Sequence, residues 1–187
     1  IMIDYAPSCG SLAGIASEEN EEVILTDCVN AAYLLFMDPL DGPSNVDVNI
    51  TVGTIFSVYK RKDPSKPVTA DEFLLPGSQQ IAAGYIAYGS ATEMALTVGD
   101  GVSFYTLSPE TAAFILTREK VRVAEDSREF AVNMARKRFW HAPFYRYITE
   151  LLEGETGPRR KDYNMRWGGS MGADVHRILC RGGPFMS

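Results

Sequence analysis

The chain has 187 residues, of which 45% are hydrophobic and 22% are charged, so it can bury a sizeable core and is not intrinsically disordered. Its formal net charge of −6 at pH 7 argues against a general nucleic-acid-binding protein. No apolar run reaches the roughly 18 residues of a membrane-spanning helix, and we expect no signal peptide. An anionic substrate would therefore depend on a local metal ion or on local arginines.

The cysteine pattern favours a reducing, cytoplasmic compartment. Cys9, Cys28 and Cys180 are scattered along the chain, and no pair has CxxC spacing. The sequence begins at Ile1 rather than Met and stops at Ser187, where the pattern of residues 182–187 predicts the start of a strand. We therefore expect a partial chain.

The first part of the chain is predicted to hold a buried strand between acidic segments. Residues 8–15 are typical of a loop that enters a short strand, and residues 31–37 are almost all apolar, which predicts a buried strand. Four acids occur in the five positions 18–22. Such runs are usually solvated loops, but the first acids could also point into one cation site with Asp38 and Asp41 if two neighbouring strands bring them together.

The predicted strand ends in Asp38-Pro39-Leu40-Asp41-Gly42, which places two carboxylates around a tight turn. Such a run can be an ordinary turn, because proline fixes φ and glycine supplies a positive φ. The same residues also suit a metal-bound phosphate. Carboxylates bind divalent cations, and Pro43 and Ser44 can begin a short helix whose N–H groups face an anion. These residues alone leave both interpretations open.

The middle of the chain is predicted to form an antiparallel meander. Residues 46–52 alternate apolar and polar side chains, which predicts a half-buried strand that continues through residues 54–59. Residues 60–67 are polar, basic and proline-containing, which indicates a surface loop. After a turn at residues 75–77, further strands are predicted at residues 81–88, 93–98, 102–107 and 112–117.

The pattern changes near residue 125, after which helices are predicted. Apolar side chains recur at helical spacing in residues 141–152 and again in residues 170–180. We therefore predict two incomplete subdomains, residues 1–124 and residues 125–187.

Several motifs in this order resemble one known family. The run from Asp38 to Asn49, followed by residues 52–57, is similar to class I fructose-1,6-bisphosphatase, a member of the lithium-sensitive, magnesium-dependent sugar phosphatases. The resemblance extends over nearly the whole chain, and its other motifs are residues 17–19, 82–85, 88–92, 169–171 and 173–177.

The resemblance implies a layered α-β-α-β sugar phosphatase fold with mixed, largely antiparallel sheets, incomplete at both ends. It implies hydrolysis of the 1-phosphate of fructose 1,6-bisphosphate with Mg²⁺, or Mn²⁺ in its place, as cofactor. It also implies a homotetramer, no nucleic-acid or membrane partner, and a cytoplasmic place in gluconeogenesis or the Calvin cycle of carbon fixation.

The resemblance also assigns the metal and 1-phosphate site. Divalent ions can clamp the reacting oxygens and lower the pKa of a bound water, and Mg²⁺ prefers oxygen ligands. By family position, the metal ligands are Glu18, Asp38, Asp41 and the Leu40 carbonyl. Glu19 would help to orient the attacking water. The N–H groups that follow Asp41, beginning with Gly42, would bind the 1-phosphate together with the Ser44 hydroxyl.

Four further residues are assigned to the sugar and 6-phosphate by the same resemblance. Asn133 matches an amide in that site, and Arg166 matches an arginine that reaches the 6-phosphate of a neighbouring subunit. Ser170 and Met171 match the segment beside the sugar. In contrast, we predict that His176 holds a structural position on a helix.

The chain departs from the family pattern at four positions. Pro43 replaces a serine, which removes one N–H and one hydroxyl from the phosphate turn. Arg136, Trp167 and Ser187 stand where the 6-phosphate pocket usually has tyrosines. By the same resemblance, a lysine for phosphate and a glutamate for metal would follow Ser187. These differences leave two alternatives: a related bisphosphatase acting on sedoheptulose 1,7-bisphosphate, or a non-catalytic sugar-phosphate-binding remnant. We expect the isolated chain to be inactive and poorly stable, because an incomplete sheet exposes an edge.

Overall fold

The computed structural model describes residues 5–186, which form two β-sheets and two α-helices. The helices are α1 (Ala142–Leu152) and α2 (Met171–Arg181). The larger sheet consists of β1 (Leu12–Ser17), β2 (Ile24–Leu25), β3 (Tyr33–Asp41), β4 (Val52–Lys60), β5 (Gln80–Tyr88), β6 (Thr92–Thr97), β7 (Val102–Ser108) and β8 (Ala113–Val121). The smaller sheet consists of β9 (Glu129–Val132), β10 (Asn164–Met165) and β11 (Phe185–Met186).

The larger sheet has the strand order β2-β1-β3-β4-β5-β6-β7-β8. Strands β3 to β8 follow one another as an antiparallel meander, whereas β1 runs parallel to β3. The smaller sheet is parallel, with β9 between β10 and β11. The predicted mixed, largely antiparallel α/β class is confirmed, and so is the meander.

Helix α2 covers one face of the larger sheet. Its Val175 and Leu179 pack against a buried cluster on β5, β6 and β7 that includes Tyr85, Ala95 and Phe104. Apolar residues at helical spacing give α2 this buried face, while Gly182 ends the helix with a positive φ of 79°. The helix is thereby held so that its N-terminus points to the end of β3, as its contacts with Asp41 show.

Two further apolar clusters complete the core of the described residues. Leu34 and Tyr59 of the larger sheet pack with Val68 and Phe73 of the connection between β4 and β5. The smaller sheet packs against α1, and its buried members are Phe130, Val132, Ile148 and Leu151. Each sheet therefore has its own apolar cluster, and α2 lies beside both, with contacts to β4, β5 and β9.

The strand predicted at residues 46–52 is wrong before Val52. A short 3-10 helix (Pro43–Asn45) follows Gly42, and turns continue through Asn49, which has a positive φ of 57°. The buried Asn45 side chain donates to the Thr51 carbonyl, and the Ile50 N–H donates to the Asn45 carbonyl. These bonds fold the segment back on itself, so its alternating apolar side chains remain exposed and the alternation does not report a strand.

The predicted surface loop at residues 60–67 contains one buried exception. The guanidinium of Arg61 uses all five of its N–H groups, because it binds both oxygens of Glu72 and the carbonyls of Val29, Ala31 and Lys66. The side chain is fully buried. A basic residue that the composition places at the surface instead joins the connection between β2 and β3 to the connection between β4 and β5.

No helix among residues 5–186 is both long and apolar enough to cross a membrane.

Candidate functional site

The two acidic segments meet at one end of the larger sheet. Strands β1 and β3 are parallel neighbours in which Ser17 pairs with Met37, and the Glu18 N–H donates to the Met37 carbonyl over 3.0 Å. Glu18, which directly follows β1, is therefore level with Asp38 of β3. Two neighbouring strands, β1 and β3, thus bring the backbones of Glu18 and Asp38 alongside each other.

Asp38 lies among like charges. Its half-buried carboxylate accepts one hydrogen bond, from the Leu40 N–H over 3.0 Å. Burial raises the pKa of Asp38, and the nearby negative charges of Asp41 and Glu19 raise it further, while the Leu40 N–H partly offsets both. A cation at this position would relieve the mutual repulsion of these carboxylates.

Asp41 binds the beginning of α2. Its Oδ2 accepts from the Ser170 hydroxyl at 2.6 Å and from the Gly172 N–H at 2.7 Å, and its Oδ1 accepts from the Met171 N–H at 3.1 Å. The carboxylate is buried, and a helix N-terminus favours a negative charge. Thus the acidic turn of the larger sheet is fastened to a segment about 130 residues further along the chain.

Two glycines permit this close approach. A Cβ on Gly42 would lie 2.7 Å from the Ser170 Cβ, and Gly42 also has a positive φ of 77°. A Cβ on Gly172 would lie 3.2 Å from the Asp41 Oδ2. The missing side chain at Gly42 therefore allows the turn to meet the start of α2, and a side chain at Gly172 would require Asp41 to shift by a few tenths of an ångström.

An open cavity of about 630 Å³ adjoins the acids on the sheet face that α2 partly covers. Glu18 and Asp38 contribute to its wall, which is otherwise mostly apolar and includes Phe36, Ile55 and Leu179. The carboxylates of this end of the sheet thus border a concave space rather than a flat surface.

The residues predicted to bind the sugar and second phosphate lie in two groups. Ser170 and Met171 adjoin Asp41, with Ser170 fully buried and the Met171 side chain half exposed. Asn133 directly follows β9 and caps a 3-10 helix through the Ala135 N–H, and the exposed Arg166 directly follows the neighbouring parallel strand β10. Asn133 and Arg166 therefore leave the smaller sheet at the same edge.

Family models match both parts of the chain. The model described as Fructose-1-6-bisphosphatase, N-terminal domain, matches residues 1–119, and the model described as Fructose-1-6-bisphosphatase, C-terminal domain, matches residues 123–187. The chain belongs to the fructose-1,6-bisphosphatase family. The resemblance that the motifs indicated is thereby confirmed.

Relatives of known sequence agree with this assignment. Over 186 residues the chain is 51% identical to the class 1 fructose-1,6-bisphosphatase of Polynucleobacter necessarius and 50% identical to that of Polynucleobacter asymbioticus. Each match covers 100% of this chain and 55% of the relative. The chain therefore spans about half the length of these fructose-1,6-bisphosphatases.

Solved structures of the family share the fold. The apo form of Leishmania major fructose-1,6-bisphosphatase superposes with a TM-score of 0.88 at 34% identity, covering 97% of this chain and 59% of that one. Its T-state structure gives a TM-score of 0.85 at 35% identity, covering 94% and 56%.

Fructose-1,6-bisphosphatases are metal-dependent, and the acids of this chain fit an oxygen-preferring ion by their chemistry. Glu18, Glu19 and Asp38 offer carboxylate oxygens at one end of the sheet. However, no three His, Cys, Asp or Glu side chains among residues 5–186 form a group that could hold a metal ion. Both oxygens of Asp41 are already engaged by α2, which is a role that the sequence did not predict for it.

The structure locates three of the four positions that depart from the family pattern. Pro43 is exposed at the first position of the 3-10 helix that follows Gly42, where its missing N–H breaks no helical bond. Arg136 is exposed, and Trp167 stacks on Phe185 with ring centroids 5.8 Å apart. Ser187 lies outside the described residues.

Sequence reasoning missed two residues of this region, Asn45 and Asp174. Both are buried polar side chains that bind the backbone next to Ser170. The available signals were the Gly168-Gly169 pair, which allows a tight turn, and an acid in the first turn of a helix, where negative charge is favoured.

His176 connects α2 with the sheet. Its Nδ1 lies 3.1 Å from the Tyr85 hydroxyl, and its Nε2 lies 3.1 Å from the Glu93 carboxylate and 3.7 Å from the Cys180 sulfur. A neutral ring that donates to Glu93 and accepts from Tyr85 satisfies both nitrogens. These contacts accord with the predicted structural position. His141, in contrast, is exposed where it precedes α1.

Replacing His176 with glutamine is expected to reduce the pH dependence of stability. Burial lowers the pKa of His176 below its ordinary 6.5, and the nearby Arg118 lowers it further, against the opposing effect of Glu93. The unfolded chain therefore binds more protons just below pH 6.5, so the stabilisation is complete above that pH and is lost as the pH falls towards the folded pKa. Urea unfolding of both proteins between about pH 5 and 7 measures the difference. If the free energy of unfolding changed equally with pH in both proteins, the expectation would be contradicted.

Proposed function

We propose that the chain carries the phosphate-hydrolysing site of an enzyme that converts fructose 1,6-bisphosphate to fructose 6-phosphate and phosphate. The observation that carries this proposal is the parallel pairing of β1 with β3, which sets Glu18 level with Asp38 beside the Asp41 turn. The names of its relatives, the Polynucleobacter and Leishmania fructose-1,6-bisphosphatases, supply the substrate.

Each acid at this end of the sheet has a proposed role. Glu18 and Asp38 would hold the metal with the Leu40 carbonyl, and Glu19 would accept a proton from the attacking water. Asp41 would keep the turn in place through α2 and complete the ligand set at the edge of the ion. When bound, the metal would neutralise the phosphate charge and lower the pKa of a coordinated water.

The substrate would lie between the turn and α2. Gly42 and Ser44 would bind the 1-phosphate from the side of the turn, with one N–H fewer because of Pro43. Ser170 and Met171 would border the sugar, and Asp41 accepts from the Ser170 hydroxyl and from the Met171 N–H. Asn133 and Arg166, which leave the smaller sheet at one edge, would bind the 6-phosphate.

We further propose the finer properties that the family suggests. The metal would be Mg²⁺, with Mn²⁺ as a substitute, since both accept carboxylate oxygens. Residues 1–124 would form the metal and 1-phosphate subdomain, and residues 125–187 would begin the sugar and 6-phosphate subdomain. The enzyme would act as a cytoplasmic homotetramer in gluconeogenesis or carbon fixation.

Replacing Asp38 with asparagine is expected to lower phosphate release from fructose 1,6-bisphosphate by roughly a thousandfold or more, because a charged ligand of the reaction centre is lost. Release is measured on the protein at its full natural length, with Mg²⁺ and with EDTA. The exposed Asp47 lies beyond the same turn, so Asp47→Asn serves as the matched control and should retain activity. Turnover in EDTA equal to that in Mg²⁺ would contradict the proposal.

Two observations favour the alternatives enough to test them. Arg136 and Trp167 stand where the family's 6-phosphate pocket usually has tyrosines, which favours a related substrate. Comparing kcat/KM for fructose 1,6-bisphosphate and sedoheptulose 1,7-bisphosphate distinguishes the two enzymes. The engaged oxygens of Asp41 favour a non-catalytic sugar-phosphate-binding protein. Binding of Mg²⁺ and sugar phosphate without turnover at full length would support that alternative.

A further inference from the structure

Both backbone groups of Gly168 are held by buried side chains. Its N–H donates to the Asp174 Oδ1 over 2.7 Å, and its carbonyl accepts from the Asn45 Nδ2 over 3.0 Å. The Gly169 N–H donates to the other Asp174 oxygen over 3.1 Å. The turn that leads into α2 is therefore clamped from two directions, although Gly168 and Gly169 are themselves exposed.

The two clamping residues come from different parts of the chain. Asp174 lies in the first turn of α2, only 6% exposed, whereas Asn45 ends the 3-10 helix after the acidic turn and is 7% exposed. A buried carboxylate or amide is costly unless it is hydrogen-bonded, and here the partners are the backbone of this one turn and the Thr51 carbonyl. The cost of burial is offset only while the turn keeps this shape.

The contacts of Asn45 and Asp174 and those of Asp41 hold the same segment of the chain. Asp41 binds Ser170 and the two N–H groups that follow it, and Asn45 lies four residues after Asp41. The segment from Gly168 to Gly172 is thus bound at its beginning by Asn45 and Asp174 and at its end by Asp41. A Cβ on Gly168 would lie 3.1 Å from the Asp174 Oδ1, so the approach is close as well as polar.

We propose that Asp174 is a positioning residue that, with Asn45, holds the Gly168-Gly169 turn so that Ser170 and Met171 face the sugar before substrate arrives. Asp174 touches neither the substrate nor the reacting atoms in this proposal and acts through the backbone of the turn. The inference rests on the proposed function and adds the device that preorganises its sugar-binding segment.

Replacing Asp174 with asparagine tests the proposal. The shape is kept, but one acceptor becomes an NH₂ group that faces a glycine N–H, so the turn loosens. In the full-length protein we expect KM for fructose 1,6-bisphosphate to rise about tenfold while kcat changes less than about threefold. Amide exchange at Gly168 should accelerate by about tenfold or more, which is a readout independent of turnover.

Asn45→Ala is a second test of the clamp, and Asp63→Asn is the matched control. Asn45→Ala removes the clamp from the other side and should shift KM in the same direction, even where Asp174→Asn fails to fold. Asp63 accepts from the N–H and hydroxyl of Ser65 in an exposed loop, so Asp63→Asn loses similar bonds and should leave KM unchanged.

The failures of the two proposals are distinguishable. No phosphate release from the unmodified full-length protein would overturn the proposed function and, with it, the inference. Normal release with an unchanged KM in both Asp174→Asn and Asn45→Ala would overturn the inference alone. Lower stability with unchanged KM would show that the clamp is only structural and would also overturn it.

Discussion

Replacing Asp41 with alanine is expected to lower the free energy of unfolding by about 3 kcal/mol, because it leaves buried donors without an acceptor. The Ser170 hydroxyl is fully buried and donates to this carboxylate, and the Gly172 N–H is also buried. The favourable interaction of the carboxylate with the α2 N-terminus is lost as well. Urea unfolding monitored by circular dichroism measures the change.

Two other acids of the same segment provide the comparison. Asp47 is exposed, so Asp47→Ala should change the free energy of unfolding by less than about 0.5 kcal/mol. Among residues 5–186, Asp38 accepts a hydrogen bond only from the Leu40 N–H and is repelled by its acidic neighbours, so its removal should be close to neutral for stability. Equal losses for Asp41→Ala and Asp38→Ala would show that the contact with α2 does not stabilise the fold.

The proposed function makes this contrast useful. Loss of Asp38 should abolish turnover in a protein that remains folded, whereas loss of Asp41 should affect folding and turnover together. The two carboxylates lie three residues apart and look equivalent in the sequence. In the structure Asp38 lies among other acids and Asp41 binds a helix N-terminus, so the two variants should differ in their effect on stability.

Replacing Arg61 with methionine is expected to lower the free energy of unfolding by about 3 kcal/mol, because it removes a fully buried guanidinium from the partly exposed Glu72 and from three backbone carbonyls. Glu72 would lose the guanidinium that, by hydrogen bonding, lowers its pKa. The carbonyls of Val29, Ala31 and Lys66 would lose their donor at the same time. Thermal and urea unfolding of the variant measure the loss.

The neighbouring Lys62 is exposed and supplies the matched control, since Lys62→Met removes the same charge from the same loop. This control should change the free energy of unfolding by less than about 0.5 kcal/mol. A double variant, Arg61→Met with Glu72→Met, should recover part of the loss, because no unpaired charge remains. A loss for Arg61→Met no larger than that of Lys62→Met would contradict the assigned role.

Elements with a clear local period could be predicted from the sequence. The meander from β4 to β8 and the two helices follow from alternation and from helical spacing, which are properties of neighbouring residues. The same rule failed at residues 46–52, because the Asn45 side chain binds the backbone at Thr51 and folds the alternating segment into turns. The alternation of apolar and polar residues cannot reveal that a side-chain hydrogen bond holds the backbone in turns instead of a strand.

The sequence by itself determined the family, through motifs that resemble it, and it determined the two acidic segments and the main strands, because these depend on residue types and short-range patterns. Only the tertiary structure decided which acid has which partner. Asp41 binds α2, and the turn at Gly168 is bound by side chains from other parts of the chain, so these contacts depend on residues far apart in the sequence. Arg61 is buried although the composition of its segment assigns it to the surface. Buried polar groups must find hydrogen-bond partners wherever the fold brings them, so their roles are settled by three-dimensional packing.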